Sequence, residues 1–278
     1  STVIQRIIAY QNFPKIDIEI DLEGFTGEAY QEFRMTMPLN QSSSLISYEV
    51  PMGVVEIGKN DLSISAGHAG GLHYTTPLNE TPLRECQNWF ASSDDLSNVM
   101  LSSSVGVFGY KDATSNPVDY PVLQPVLLAS RKSCHWKGNW YLQQGNHSYR
   151  FSLHSSDGDW KKTHQLGTQS AQPLLTAVGV KNGNNKILSP LQSFFSVDKK
   201  NVMVSTIKKC EDDDNVVVRL FDIEGMDSDV SLWSFKPIKK SCQTNIIEEP
   251  QKLIDNKGDI LPVKIGHHSI ETYKLEYK

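Results

Sequence analysis

The sequence lacks long apolar runs and has no surplus of basic residues. No stretch of about 18 consecutive apolar residues occurs, so we predict no membrane span. The formal net charge is −5 over 278 residues, whereas nucleic-acid-binding surfaces usually show a basic stripe, so we expect no nucleic-acid partner. Hydrophobic residues make up 38% of the chain, which at this length is enough for one large β domain or two smaller ones.

Cysteine is scarce, and its spacing does not favour metal binding. The four cysteines are Cys86, Cys134, Cys210 and Cys242; none forms a CxxC pair, and only Cys134 stands next to a histidine. Zinc sites need several Cys or His ligands that converge on one ion. The pattern therefore predicts isolated thiols or one or two structural disulfides, and it leaves these two alternatives open.

Targeting signals are also missing from the N-terminus. The first residues, STVIQRIIAYQNF, lack the basic segment and the following apolar segment of a secretory signal peptide. If the protein is exported, we expect its signal to lie outside this chain. Glycosylation sequons begin at Asn40, Asn79 and Asn146, but a chain rich in Asn and Ser shows a few by chance, so they do not decide the compartment.

What the sequence does contain is a repeated period of two. Residues 16–24 alternate between apolar and acidic side chains, which predicts a half-buried antiparallel strand with its acidic face in solvent. Short runs rich in β-branched and aromatic residues recur along the chain between Gly, Asn, Asp and Lys turns. Residues 57–82 read as a long surface excursion and 156–190 as a connecting segment. Only 162–177 and 247–256 are candidates for helix, and neither has an apolar stripe.

The stretch YEVPMGVVE places a glutamate on each side of a Pro-Met-Gly break. Glu49 and Glu56 are either parts of two strand segments around a bend or a carboxylate pair for acid–base chemistry. On an extended strand they would lie roughly 23 Å apart, and the bend shortens that distance. We therefore expect both glutamates to face solvent or a neighbouring strand and to take no part in catalysis.

Several of these stretches, in this order, resemble one enzyme family. The matching segments are IIAYQNFPKIDIEIDLEG (7–24), ISYEVPMGVVE (46–56), QNWFASSDD with VGVFGY, VMVSTIKKCEDDDNVVVRLFDIEG (202–225), NIIEE (245–249) and SIETYKLEY (269–277). Together they resemble the α-mannosidases of glycoside hydrolase family 38, over nearly the whole chain, but only in their C-terminal β region. The resemblance implies an all-β fold: a large, galactose-mutarotase-like β-supersandwich in 1–190, with N-terminal strands missing, and a smaller β-sandwich in 191–278.

The resemblance also implies where the chemistry lies. Family members are retaining enzymes that hydrolyse α-mannosides, and their N-terminal barrel carries the zinc ion and the nucleophile. We therefore expect no catalytic residue and no metal ligand here, with zinc bound outside this chain in the full-length enzyme. The expected partners are mannose-containing glycans and the N-terminal catalytic portion of the same protein. Unpaired sheet edges also favour self-association. We expect an extracytoplasmic, lysosomal or vacuolar compartment in preference to the cytosol.

Candidate binding residues lie in one predicted hairpin tip. SCHWKGNWY (133–141) places Trp136 and Trp140 around a Lys-Gly-Asn turn, and aromatic rings there could stack on sugars, so we predict that Trp136, Trp140 and His135 contact substrate. Trp89, Trp160 and Trp233 are more simply explained as packing residues. We predict that His267 and His268 are turn residues, and that the acidic segment 211–215 is a solvated hairpin turn, since it lacks calcium-loop spacing.

The sequence leaves two alternative functions open. One is a stand-alone carbohydrate-binding or mutarotase-like β-sandwich protein without hydrolase activity, which would need its own polar cleft. The other is a structural sandwich that binds no sugar.

Overall fold

The computed structural model describes residues 1–61, 83–133, 137–172, 174–178 and 191–277. They form two compact units, Ser1–Leu174 and Leu175–Lys278. Antiparallel strands dominate both units, so the predicted all-β class is confirmed. The predicted division at residues 190 and 191 stays a prediction, because residues 179–190 lie outside the described part of the chain.

The first unit is built from two facing antiparallel sheets. Its described strands are β1 (Thr2–Ala9), β2 (Ile16–Phe25), β3 (Gln31–Arg34), β4 (Met37–Pro38), β5 (Leu45–Val50), β6 (Gly53–Glu56), β7 (Leu83–Glu85), β8 (Trp89–Ser93), β9 (Asn98–Ser103), β10 (Val107–Gly109), β11 (Val122–Lys132), β12 (Trp140–Tyr141) and β13 (Gly145–Ser156). The larger sheet has the order β1-β2-β13-β9-β8-β5-β6. The other has the order β12-β11-β10-β7, with β3 and β4 paired to β11.

The core of this unit lies between the two sheets. Phe90 of the larger sheet stacks on Phe108 of the other, with ring centroids 4.1 Å apart, and both are fully buried. Ile18, Ile20 and Leu101 belong to the larger sheet and pack into the same cluster. Alternating strands supply these side chains from one face only, which is the arrangement of a β-sandwich.

The acidic face of β2 is ion-paired, which refines the prediction of a solvated face. Asp21 pairs with Arg6 of β1 at 2.5 Å, and Glu19 pairs with Arg150 of β13 at 3.1 Å. Asp17 is buried and pairs with Lys15 at 3.1 Å. Each of these three carboxylates therefore has a cation beside it, from a neighbouring strand or from the turn before β2.

A short helical segment covers part of the outer face of the larger sheet. It consists of a 3₁₀ helix (Trp160–Lys162) and helix α1 (His164–Ala171). Helix α1 lies within the candidate region 162–177, and it buries His164 and Gly167 in place of an apolar stripe. The absence of a side chain on Gly167 lets the helix approach Trp89 and Met100 closely. The other candidate region contains strand β19 (Pro250–Ile254) instead.

The second unit is a smaller sandwich. Its described strands are β14 (Phe195–Val197), β15 (Val202–Lys209), β16 (Val216–Asp222), β17 (Ser228–Ser234), β18 (Ile238–Thr244), β19, β20 (Ile260–Ile265) and β21 (Ile270–Tyr277). The order is β14-β17-β20 in one sheet and β15-β16-β21-β18-β19 in the other. Leu220, Leu232, Leu261 and Tyr273 pack between them. The predicted fold, a large sandwich followed by a smaller one, is confirmed.

The described cysteines and helices bear on two further predictions. Cys86, Cys210 and Cys242 are buried free thiols, so the described cysteines form no disulfide, whereas Cys134 lies outside the described residues. No helix among the described residues is long and apolar enough to cross a membrane.

Candidate functional site

The predicted substrate-binding hairpin is described only in part. His135 and Trp136 lie outside the described residues. Trp140 begins β12 and pairs in register with Lys132 of β11. Half of its surface is exposed, at 50%, so its ring is available to a ligand.

Trp140 belongs to a small aromatic surface, which we call the hairpin shelf and define as Tyr30, Lys132 and Trp140. The Tyr30 and Trp140 ring centroids are 5.7 Å apart, and Lys132 Nζ lies 5.3 Å from the Trp140 centroid. Beside them is an open depression of about 370 Å³, lined by Tyr30–Glu32 and Ala129–Lys132. Exposed rings beside polar groups are suited to stacking against the C–H face of a sugar.

The glutamates of YEVPMGVVE lie on one face of the larger sheet. Strands β5 and β6 form a tight hairpin around Pro51 and Met52, in which Ser47 pairs with Glu56 and Glu49 with Val54. Met52 has a φ of 60°, the left-handed conformation that such a turn requires. Because residues two apart share a face, Glu49 and Glu56 are diagonal neighbours on the outer face.

Neither glutamate is fully exposed to solvent, which was one of the two positions predicted for them. Glu49 is only 7% exposed, and burial raises its pKa to about 7, against the opposing effect of hydrogen bonding with Asn88. Glu56 accepts a hydrogen bond from Trp160 Nε1 at 3.0 Å and pairs with Lys59 at 3.4 Å. Of the two positions predicted, solvent or a neighbouring strand, Glu49 does not take the solvent position, because the helical segment covers this face, a contact that strand patterns cannot reveal. Its partner Asn88 directly precedes the neighbouring strand β8. Neither glutamate lines the hairpin depression or the larger cavity described next.

Sequence reasoning missed a cavity of about 600 Å³ between α1 and the outer face of the larger sheet. We call it the α1 cavity. Its floor includes Asp17, Ser152 and Ser102, which occupy matching register positions on β2, β13 and β9. Helix α1 supplies Gln169 and Ser170, and Ser170 Oγ lies 3.1 Å from His154 Nε2. The serines that line the cavity come from segments far apart in the sequence, so they form no local motif. The one sequence signal for the cavity is the position of Asp17 in an alternating strand.

In the second unit, carboxylates within the family-like motifs connect separate turns through hydrogen bonds. Asp222 is fully buried; its carboxylate accepts hydrogen bonds from the backbone N–H groups of Gly225, Met226 and His268 at 2.7–2.9 Å, and from the Asn201 side chain at 2.7 Å. Burial by itself would raise the pKa of Asp222, but these bonds hold it below its usual value. Asp222 therefore fastens the β16–β17 loop to the turn before β21.

Glu248, in the segment NIIEE, has a similar role. It pairs with Lys208 at 2.8 Å and accepts a hydrogen bond from the backbone N–H of Glu211 at 2.9 Å. These partners lower its pKa to about 2, although desolvation acts in the opposite direction. Glu211 opens the acidic segment 211–215, which forms the predicted hairpin turn between β15 and β16.

The paired histidines lie in the turn between β20 and β21, as predicted. His267 Nδ1 is 3.0 Å from Asp227 Oδ1, and both side chains are exposed. No group of three His, Cys, Asp or Glu side chains within the described ranges is placed to hold a metal ion. The described residues therefore do not fit a zinc ion, and we derive no step through zinc for this chain.

A family comparison agrees with the geometry of the second unit. Residues 201–273 match the family described as glycosyl hydrolases family 38 C-terminal beta sandwich domain. This region resembles the C-terminal β-sandwich domain of glycosyl hydrolase family 38. The match includes Asp222 and Glu248, and it confirms the family recognised from the sequence as a C-terminal β region only. No curated protein matches the chain in sequence.

Solved structures extend the similarity to the first unit, at the level of fold. The crystal structure of an alpha-mannosidase from Enterococcus faecalis V583 matches with a TM-score of 0.72 and 14% identity, covering 99% of this chain. A glycosyl hydrolase family 38 protein from Enterococcus faecalis matches with a TM-score of 0.72, 15% identity and 99% coverage. The chain spans only 29% and 30% of the lengths of those two proteins. At these identities the likeness shows a shared fold.

Proposed function

We propose that this chain is the C-terminal β region of a retaining, zinc-dependent α-mannosidase that hydrolyses α-mannosides. The observation that carries the proposal is the family 38 match over 201–273, together with a fold shared along 99% of the chain with an alpha-mannosidase structure. In this proposal the catalytic barrel, its zinc and its nucleophile are supplied by the N-terminal catalytic portion of the protein. The chain supports that barrel and contributes to glycan binding.

Within this function, the hairpin shelf is the proposed point of glycan contact. Trp140 is half exposed, and both Tyr30 and Lys132 contact its ring. Contacts of this kind reduce the side-chain freedom that Trp140 would lose on binding a glycan. We include His135 and Trp136 in the proposed contact on their sequence position alone. An extracytoplasmic, lysosomal or vacuolar compartment remains part of the proposal.

The experiment compares this chain with the catalytic portion on an aryl α-mannoside. The 278-residue chain with added zinc should give no turnover, because no group of three metal-binding side chains occurs among the described residues and the proposal places the nucleophile in the N-terminal catalytic portion. Adding the N-terminal catalytic portion should restore hydrolysis with retention at the anomeric carbon, and a chelator should abolish it. Turnover by the chain alone would overturn the assignment of catalysis to the missing portion. No activity on α-mannosides in the reconstituted enzyme would overturn the proposed substrate.

The same reconstituted enzyme tests whether the hairpin shelf contacts the glycan. Trp140→Ala should raise KM for a manno-oligosaccharide severalfold with little change in kcat, since it removes a contact remote from the bond that breaks. The matched control is Trp233→Ala, a similarly exposed tryptophan in the second unit. Equal KM values for the Trp140 variant and the unaltered enzyme would contradict a shelf contact.

A further inference from the structure

We propose that the α1 cavity is a second carbohydrate-binding site, which takes a neutral, hydroxyl-rich ligand the size of one or two sugar units. The inference goes beyond the proposed function, because this site lies wholly within the first unit and needs neither the hairpin shelf nor a catalytic portion. Its volume of about 600 Å³ lies within the range of small-molecule sites, roughly 300–1,000 Å³.

The floor of the cavity is a polar row built into the sheet. Asp17, Ser152 and Ser102 are each at least nine-tenths buried and sit side by side in register across β2, β13 and β9. Ser152 Oγ donates to Asp17 Oδ1 at 2.5 Å, and Tyr10 donates its hydroxyl hydrogen to Asp17 Oδ2 at 2.5 Å. Buried polar side chains that line an open cavity add nothing to the packing of the sandwich core. A ligand with hydroxyl groups, in contrast, can form hydrogen bonds with such a floor.

The charges at the cavity are balanced in pairs. Lys15 Nζ lies 3.1 Å from Asp17, and Arg150 lies 3.1 Å from Glu19. Because each cation already faces a carboxylate, an anionic ligand would have to compete with a protein carboxylate for its partner. A neutral ligand bearing hydroxyl groups can instead bond to Lys15, Asp17 and Arg150, which line the cavity. The arrangement therefore favours a sugar over a phosphate or a carboxylate.

An aromatic ring stands at the rim. Phe13 is 54% exposed, and its ring meets that of Tyr10 edge to face, with centroids 6.4 Å apart. Tyr10 is itself tied to Asp17, and Lys15 Nζ lies 5.7 Å from the Phe13 centroid. The ring thus lines the cavity and remains half exposed. On the opposite side, α1 presents the exposed carboxamide of Gln169, which can both donate and accept hydrogen bonds.

The test is isothermal titration of the 278-residue chain with methyl α-mannoside and with α-mannobiose. We expect saturable binding that Phe13→Ala and Gln169→Ala each weaken at least tenfold. Tyr120→Ala, which removes a comparably exposed aromatic ring outside the cavity, should change the affinity less than twofold. Both cavity variants alter exposed side chains, and urea unfolding should confirm that they fold as the unaltered chain does.

Three outcomes would overturn the site. The first is no saturable binding of either sugar. The second is binding that Phe13→Ala and Gln169→Ala leave unchanged but Trp140→Ala abolishes, which would assign the ligand to the hairpin shelf. The third is displacement of the sugar by millimolar inorganic phosphate, which would point to an anion site. Hydrolysis by the reconstituted enzyme is measured separately, so failure of the cavity and failure of the proposed function are distinguishable.

Discussion

At the scale of the residue, buried carboxylates determine how the stability of this protein depends on pH. Glu49 shows how. Burial beneath the helical segment disfavours its ionised form, so its pKa rises from 4.5 to about 7. The folded state therefore holds a proton on Glu49 that the unfolded state releases at a lower pH, and Glu49 contributes to stability only while it is protonated.

The sign of the pH dependence follows from that shift. The contribution is fully present below pH 4.5 and is lost as the pH rises through 7. Glu49→Gln cannot ionise, so relative to the unaltered chain it should gain up to about 3 kcal/mol in the free energy of unfolding between about pH 4.5 and about pH 8. Urea unfolding at both pH values measures this gain. The control, Glu28→Gln at an exposed site, should show no such gain, and a pH-independent difference for Glu49→Gln would refute the prediction.

Asp222 is the opposite case, a buried carboxylate that is stabilised in its charged form. Asp222→Ala would leave the N–H groups of Gly225, Met226 and His268 without their acceptor, so it should lower the free energy of unfolding of the second unit by about 3–5 kcal/mol. Chemical denaturation measures the loss. Asp229→Ala, at an exposed carboxylate, should cost less than about 0.5 kcal/mol. Similar losses in the two variants would mean that the hydrogen bonds of Asp222 contribute little.

At the scale of the element, helix α1 determines what the outer sheet face can hold. The helix is short and lacks an apolar stripe, so its position depends on close packing at Gly167. Contact with Trp89 and Met100 on one side, and the hydrogen bond between Ser170 and His154 on the other, fix it over the sheet. This placement buries Glu49 and forms the wall of the α1 cavity.

Gly167→Ala should disturb that packing. An added Cβ would lie 2.6 Å from Met100 Sδ and 3.0 Å from Trp89 Cγ, so the helix or these side chains must shift, at a cost of about 1–3 kcal/mol. Thermal unfolding followed by tryptophan fluorescence measures the change. Gly53→Ala is the matched control, because its nearest neighbour, Val50 Cγ2, would lie 3.9 Å from the new Cβ. A Gly167 variant as stable as the Gly53 variant would show that α1 tolerates a looser fit.

At the scale of the whole molecule, strand β1 forms one edge of the larger sheet. Its side chains are almost all exposed, including Val3 and Ile7. An exposed edge with apolar side chains offers unpaired backbone groups to another strand. We therefore expect the isolated chain to self-associate at micromolar concentration, and Ile7→Lys to reduce the association. Light scattering measures both. The exposed Leu96→Lys variant is the control, and a monodisperse monomer for the unaltered chain would contradict the prediction.

The sequence by itself determined the all-β class, the two-sandwich order and the family resemblance, because alternating strands such as 16–24 and the motifs of 202–277 are local patterns. It also placed His267, His268 and the acidic turn correctly, since turn chemistry is read from neighbouring residues. Only the tertiary structure decided that Glu49 is buried, that Asp222 and Glu248 fasten separate turns, and that a polar cavity lies beneath α1. Each of these depends on segments far apart in sequence, and strand periodicity specifies which face a side chain occupies but not what packs against that face. For YEVPMGVVE, the hairpin brought both glutamates to one face and the helix then covered it.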